Sequence, residues 1–413
     1  MTRNEVIQRD DNDPLASYRT EFDLPDNTIY LDGNSLGAIP HRVKKRVAET
    51  VEQQWGNDLI TSWNKHQWVN LPEIVGEKIA PIIGAGKGQV ICCDSISVNL
   101  FKLLSAALSY NGSPERRFIL STEDNFPTDG YIAQGLQELL GAGQCQFKAV
   151  DEEQLSAAID QQVAVVLVTE VNFRSGRRLD INKLTQRAHQ NGALIVVDLA
   201  HSAGVMPVDL DAWQVDMAVG CTYKYLNGGP GAPAFLYLNR KWHSKIKQPV
   251  AGWFGHRSPF DFNPDYQASS GVKQFLAGTP SILSMAAVDS ALELFAEIDM
   301  QQVRLKSQQL TSLFQQLAEQ YQLTRHLSLL SPLLAEARGS QLSYAHDQAY
   351  GICQALIKRG VVADFRAPCY IRFGFAPLYN SYTDVYDAVA QLRHVIEQQE
   401  HLQKRWQQRQ AVT

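Results

Sequence analysis

Four runs of uninterrupted apolar residues constrain the fold of this chain more than any other feature: VAVVLVT (163–169), ALIVVD (193–198), MAVGC (217–221) and APAFLYL (232–238). A strand with one solvated face alternates polar and apolar residues, so runs that stay apolar at every position read as strands covered on both faces. Between the first two lies a polar stretch of helical character from about 180 to 191, closed by Gly192 as a helix stop. Strands alternating with helices in this way predict a mostly parallel, doubly wound α/β domain.

The texture changes after about residue 284. Val288, Leu292, Phe295 and Ile298 recur at helical spacing, as do Val303, Leu310, Leu313, Phe314 and Leu317. IRFGFAP (371–377) reads as one strand, and Val385, Val389, Leu392 and Ile396 mark a closing amphipathic helix. The expected organisation is an N-terminal segment (1–60) that packs with a small C-terminal α+β domain (284–413), and a large α/β domain (61–283) between them. The Gln-rich end (398–410) reads as a solvated helix tail whose Lys404, Arg405 and Arg409 suit a helix C-terminus.

Composition narrows the function. With 45% hydrophobic and 20% charged residues among 413, the chain is an ordinary globular one, and a net charge of −5 argues against nucleic acid as a partner. The first 14 residues lack an apolar core, and the best apolar run, VAVVLV, is far short of a membrane span, so a cytoplasmic protein is expected. Six scattered cysteines form neither a disulfide framework nor a C-x-x-C pair, H-E-x-x-H is missing, and no metal site is expected.

The stretch CTYKYLNGGPGAPAF (221–235) carries the most chemistry. Lys224 directly follows a buried strand, where poor solvation lowers an amine pKa and suits a Schiff-base nucleophile; a lysine snorkelling out at a strand end would look the same locally. Twenty-six residues upstream, Asp198 ends another buried strand, the edge at which open α/β sheets bind ligands. An acid there either caps the following helix or pairs with a cation such as a protonated pyridine nitrogen, and His201 stands three residues on. In NFPTDG (125–130), Phe126 offers a stacking surface and Asp129 a second acceptor. In DSISVNLFKLLSAAL (94–108), Ser97 or a neighbour caps a helix whose start is suited to a phosphate. Arg372, inside an apolar strand, needs either a substrate carboxylate or an internal acid as its partner.

TYKYLNGGPG and VDLAHSAG, together with YLDGNSLG (30–37), WGNDLITSWN (55–64), SVNLFK (97–102), FPTD (126–129), GWFGH (252–256) and IRFGFAPLYN (371–380), resemble the kynureninases of the fold-type I pyridoxal-phosphate enzymes in the order they occur. That resemblance implies hydrolysis of L-kynurenine to anthranilate and L-alanine with pyridoxal 5'-phosphate as cofactor. It implies that Lys224 holds the cofactor covalently and shuttles protons, and that Tyr223, which touches the phosphate, is the general acid–base. Asp198 pairs with the ring nitrogen, Phe126 stacks on the ring within Phe126, Pro127, Thr128 and Asp129, and Ile96 and Ser97 cradle the phosphate. Thr169 and His201 are further cofactor contacts. Trp253 and Thr279 reach the cofactor across a homodimer interface, and Arg372 and Ser35 meet the substrate. Animal members carry Asn where Thr279 stands, so Thr279 implies the bacterial preference for L-kynurenine, with 3-hydroxykynurenine turned over more weakly. The competing readings are another fold-type I activity, such as a cysteine desulfurase or an aminotransferase, and a non-catalytic ligand-binding relative.

Overall fold

The computed structural model describes residues 1–406. Its centre is a seven-stranded sheet, in the order Val90–Cys92, Phe235–Leu238, Met217–Gly220, Leu194–Asp198, Val163–Thr169, Phe118–Thr122 and Gln146–Val150. The pairings from Met217–Gly220 through to Gln146–Val150 are parallel. Phe235–Leu238 runs antiparallel to both its neighbours, so the sheet is mostly rather than wholly parallel. The apolar runs are continuous because alternate residues enter two separate cores. Val166, Val168, Ile195, Val197 and Ala218 pack on one side, and Val165, Leu167, Leu194, Val196 and Val219 on the other. The expected helix is present as Ile181–Gln190, and Gly192 behind it has φ +72°, the left-handed conformation that ends a helix cheaply only at glycine.

A four-stranded antiparallel sheet, ordered Asp364–Arg366, Tyr370–Gly374, Gln341–Ala345 and Ser328–Leu329, forms a second layer. The helices Met300–Gln320, Ala349–Lys358 and Tyr382–Glu397 cover it through Leu313, Phe314, Ile352, Val385 and Leu392. The N-terminal segment serves both layers. Val6 and Leu31 enter the small core, Leu15 and Phe22 the large one, and Ile29–Tyr30 pairs in parallel with Val361–Val362. The helix Ile282–Leu292 places Met285, Val288 and Leu292 against the large-sheet core, so the passage to the small layer comes with Met300–Gln320.

Three local expectations are corrected. The strand in IRFGFAP closes at Gly374: one more ladder bond follows, Phe375 N–H to Ser340 O (2.8 Å), and the chain then turns, with the Tyr379 and Asn380 N–H groups bonding back to Ala376 O. The last helix ends at Glu397; two short 3₁₀ turns, Glu400–Leu402 and Lys404–Trp406, follow in place of a helix tail, and Arg409 lies outside the described residues. The helix behind DSIS begins at Ile96, and Ser95 rather than Ser97 caps it, accepting from the Val98 N–H (3.4 Å).

Candidate active site at the carboxyl edge of the sheet

Thr169 and Asp198 are register partners at the ends of adjacent parallel strands, and Lys224 follows Gly220, the end of the next strand. Topology alone therefore brings an acid, a hydroxyl and an amine to one edge. A cavity of about 250 Å³ opens there, lined by Ile96, Ser97, Phe126, Thr128, Thr169, Asp198, His201, Tyr223 and Lys224. Phe173, Cys221 and Ser95 share the lining; the sequence reading did not single out Phe173 or Cys221.

The amine of Lys224 lies 2.9 Å from His201 Nε2. Burial pushes its pKa down, and the charges of Arg372 and Arg366 add to this, against the opposing pull of Cys221 and Asp198. His201 is held well below the usual imidazole range, again by burial first and then by the Lys224 charge, so the ring is neutral. Asp198 accepts from the Ala200 N–H (2.7 Å), yet burial raises its carboxyl to about 6 despite the nearby lysine. Asp129 is pushed further up by burial and by the Asp198 charge. Thr169 Oγ1 donates to Asn125 Oδ1 (2.5 Å), and Asp129 Oδ2 accepts from Asn125 Nδ2 (3.3 Å). Asp129 Oδ1 has no hydrogen-bond partner among the described residues. Asn125 thus ties Asp129 to Thr169 from within a motif whose Phe and Asp drew more notice.

Tyr223 stands beside the amine, with Lys224 Nζ 5.9 Å from its ring centroid. Burial, with Cys221 and Asp198, raises its phenol pKa, and Arg366 only partly opposes this; the phenol keeps its proton at neutral pH. The N-terminal YLDGNSLG segment clasps this loop. The Gly37 N–H donates to Tyr223 O (2.8 Å), and a Cβ on Gly37 would stand 2.2 Å from Lys224 O.

Arg372 lies behind the cavity and almost wholly buried. Its Nη1 donates to Phe173 O (2.5 Å), its Nη2 to Ser35 Oγ (3.1 Å), and its Nε to Asp364 Oδ2 (3.0 Å). The internal acid, left open by the sequence, is therefore present. Pro127 and Asp129 open the helix Pro127–Leu140 that Phe126 starts. Trp253 and Thr279 lie outside the cavity lining of this single chain, both exposed.

The donor set suits a planar, anionic, carbonyl-bearing cofactor. An amine of lowered pKa lies near two buried acids, one with an orphan oxygen, and the start of a 16-residue helix shares the cavity lining. Comparison of folds bears on the same class. A cysteine desulfurase from Thermococcus onnurineus NA1 superposes with a TM-score of 0.77 at 18% identity, covering 92% of this chain and 98% of that one. One from Escherichia coli gives 0.74 at 19%, covering 93% and 98%. The architecture is that of the fold-type I pyridoxal-phosphate enzymes. Within that class, residues 303–392 match the family model described as the kynureninase C-terminal domain. Kynureninases of Pseudomonas fluorescens and Burkholderia pseudomallei are each 45% identical over 100% of both chains. The chain belongs to the kynureninase family.

Proposed function

We propose that the chain hydrolyses the Cβ–Cγ bond of L-kynurenine, with water, to anthranilate and L-alanine. The observation that carries this reading is the buried amine of Lys224, its pKa lowered, sharing one cavity with Asp198 in a chain similar to kynureninases over its full length. Lys224, Asp198, Phe126, Thr169, His201, Ile96 and Ser97 would hold pyridoxal 5'-phosphate. Bound there, the cofactor supplies a carbonyl that couples to amines and a ring that takes up the electron pair left at Cα.

The chain's own residues do the rest. Lys224, whose pKa burial lowers, takes the Cα proton at Nζ, and neutral His201 fixes that amine's position without competing for charge. Asp198 as carboxylate holds a proton on the ring nitrogen. Arg372, with Ser35 beside it, orients the substrate carboxylate. Tyr223, which keeps its proton, donates it to Cβ, the carbon released as the methyl group of alanine, and is reprotonated by the water whose oxygen goes to the aryl carbonyl carbon, the future carboxyl of anthranilate. Thr279 favours L-kynurenine over its 3-hydroxy form.

We also propose a homodimer in which Trp253 and Thr279 complete the partner's site. Trp253 is 41% exposed with its ring 5.8 Å from that of Phe260, itself 56% exposed, an apolar pair that a second copy would cover. Among the described residues no helix is long and apolar enough to cross a membrane. For domain limits, the packing of Ile282–Leu292 favours drawing the small domain from Met300. A desulfurase reading is weaker. Cys369 is the one cysteine not buried, and it sits in the turn between two strands of the small sheet.

The test is incubation of the protein with L-kynurenine and pyridoxal 5'-phosphate, following anthranilate fluorescence. Stoichiometric anthranilate and alanine are expected. A keto acid formed without anthranilate would overturn the reading.

A further inference from the structure

Arg372 is already neutralised inside the protein. Asp364, about 2% exposed, takes its Nε and Nη2, and Phe173 O and Ser35 take two of the remaining N–H directions. A guanidinium paired in this way has little net attraction for a second carboxylate. A second guanidinium shares the same acid. Arg366 Nη2 stands 3.0 Å from Asp364 Oδ2 and 3.4 Å from Ser35 Oγ, and its side chain is 42% exposed. Ser35 Oγ in turn donates to Asp364 Oδ2 (2.9 Å). One carboxylate thus balances two guanidinium groups, and the surplus positive charge resides with Arg366. Asp32 adjoins the cluster; burial and the Asp364 charge hold its carboxyl up at about 7, so it cancels that surplus only in part at neutral pH.

We propose that Arg366 is a specificity-determining residue for the substrate carboxylate: it supplies the uncompensated positive charge at the Arg372–Asp364 pair. This rests on the reading of Arg372 as the carboxylate site. When a substrate carboxylate displaces Ser35 from Arg372 Nη2, Arg366 retains Asp364 and Ser35, so the acid does not repel the incoming anion. Remove Arg366, and the carboxylate approaches a neutral pair with Asp32 next to it.

The experiment uses the cofactor-loaded enzyme with Arg366→Met and Arg366→Lys. It measures kcat and KM for L-kynurenine, and the inhibition constant of kynuramine, which keeps the aryl ketone and amine but lacks the carboxylate. Arg366→Met is expected to raise KM roughly tenfold with a smaller change in kcat, as loss of a near-surface charge interaction predicts. Arg366→Lys is expected to restore most of the affinity, and kynuramine inhibition to stay within about twofold. A wild-type KM in Arg366→Met, or kynuramine weakened as much as kynurenine, would overturn the proposal. Arg372→Lys separates the two readings. If it weakens kynurenine while Arg366→Met does not, only the role of Arg366 falls; if neither weakens it, the carboxylate site itself is wrong.

Discussion

Asp198 shows how burial and function pull on one side chain. Its carboxyl titrates at about 6 in the fold against 3.8 for an exposed aspartate. The folded state therefore holds that proton more tightly than the unfolded chain does. The stabilisation this gives is fully present below pH 3.8 and is lost as pH rises to about 6. In cofactor-free protein, Asp198→Asn should remove that loss. The melting temperature of wild type should fall relative to the variant between about pH 4 and 6, by the equivalent of up to about 3 kcal/mol. A wild-type-minus-variant difference that stays flat across this window would contradict the assignment. Tyr223 makes a complementary point. The phenol keeps its proton, so its value lies in donating it; Tyr223→Phe should retain cofactor yet lose at least about a hundredfold in kcat, the lower range for removing a general acid. Full turnover by that variant would remove Tyr223 from the mechanism.

At the scale of elements, the site is assembled by strand ends and by one loop crossing from the N-terminal segment. Gly37 cannot carry a side chain without striking Lys224 O and Asn227 Oδ1, at 2.2 and 2.4 Å. Gly37→Val should displace the Lys224 loop, abolishing the visible absorption of the bound cofactor while far-ultraviolet circular dichroism stays native; normal absorption would show that this clasp is dispensable. The same scale explains what could be read in advance. Asp198 and Lys224 were legible because each directly follows or ends an apolar run, and period and position carry that signal; Thr169 came only from the resemblance. Ser95 and Ser97 are too alike for local sequence to choose the cap, which depends on the Ser95 backbone being extended. Phe173 was not legible because its contact with Arg372 is made by a backbone carbonyl, which any residue possesses. The pairing of Arg372 with Asp364 arises from the antiparallel register that sets the two residues opposite each other. That register becomes visible only once the turn at 367–369 is built.

For the whole molecule, the large sheet brings the amine and acids to the cavity, and the small sheet sets the guanidinium cluster behind it. The Phe173 carbonyl and the YLDGNSLG segment join them. The exposed Trp253 and Phe260 predict a dimer in sedimentation, and Trp253→Ala should weaken both association and cofactor retention; a tightly loaded, fully active monomer would contradict shared sites. The proposed catalysis depends on which amine binds the cofactor. Borohydride reduction of the loaded enzyme followed by peptide mapping tests this directly. The pyridoxyl group should be found on the peptide containing Lys224, one per chain; its recovery on any other lysine would contradict the account.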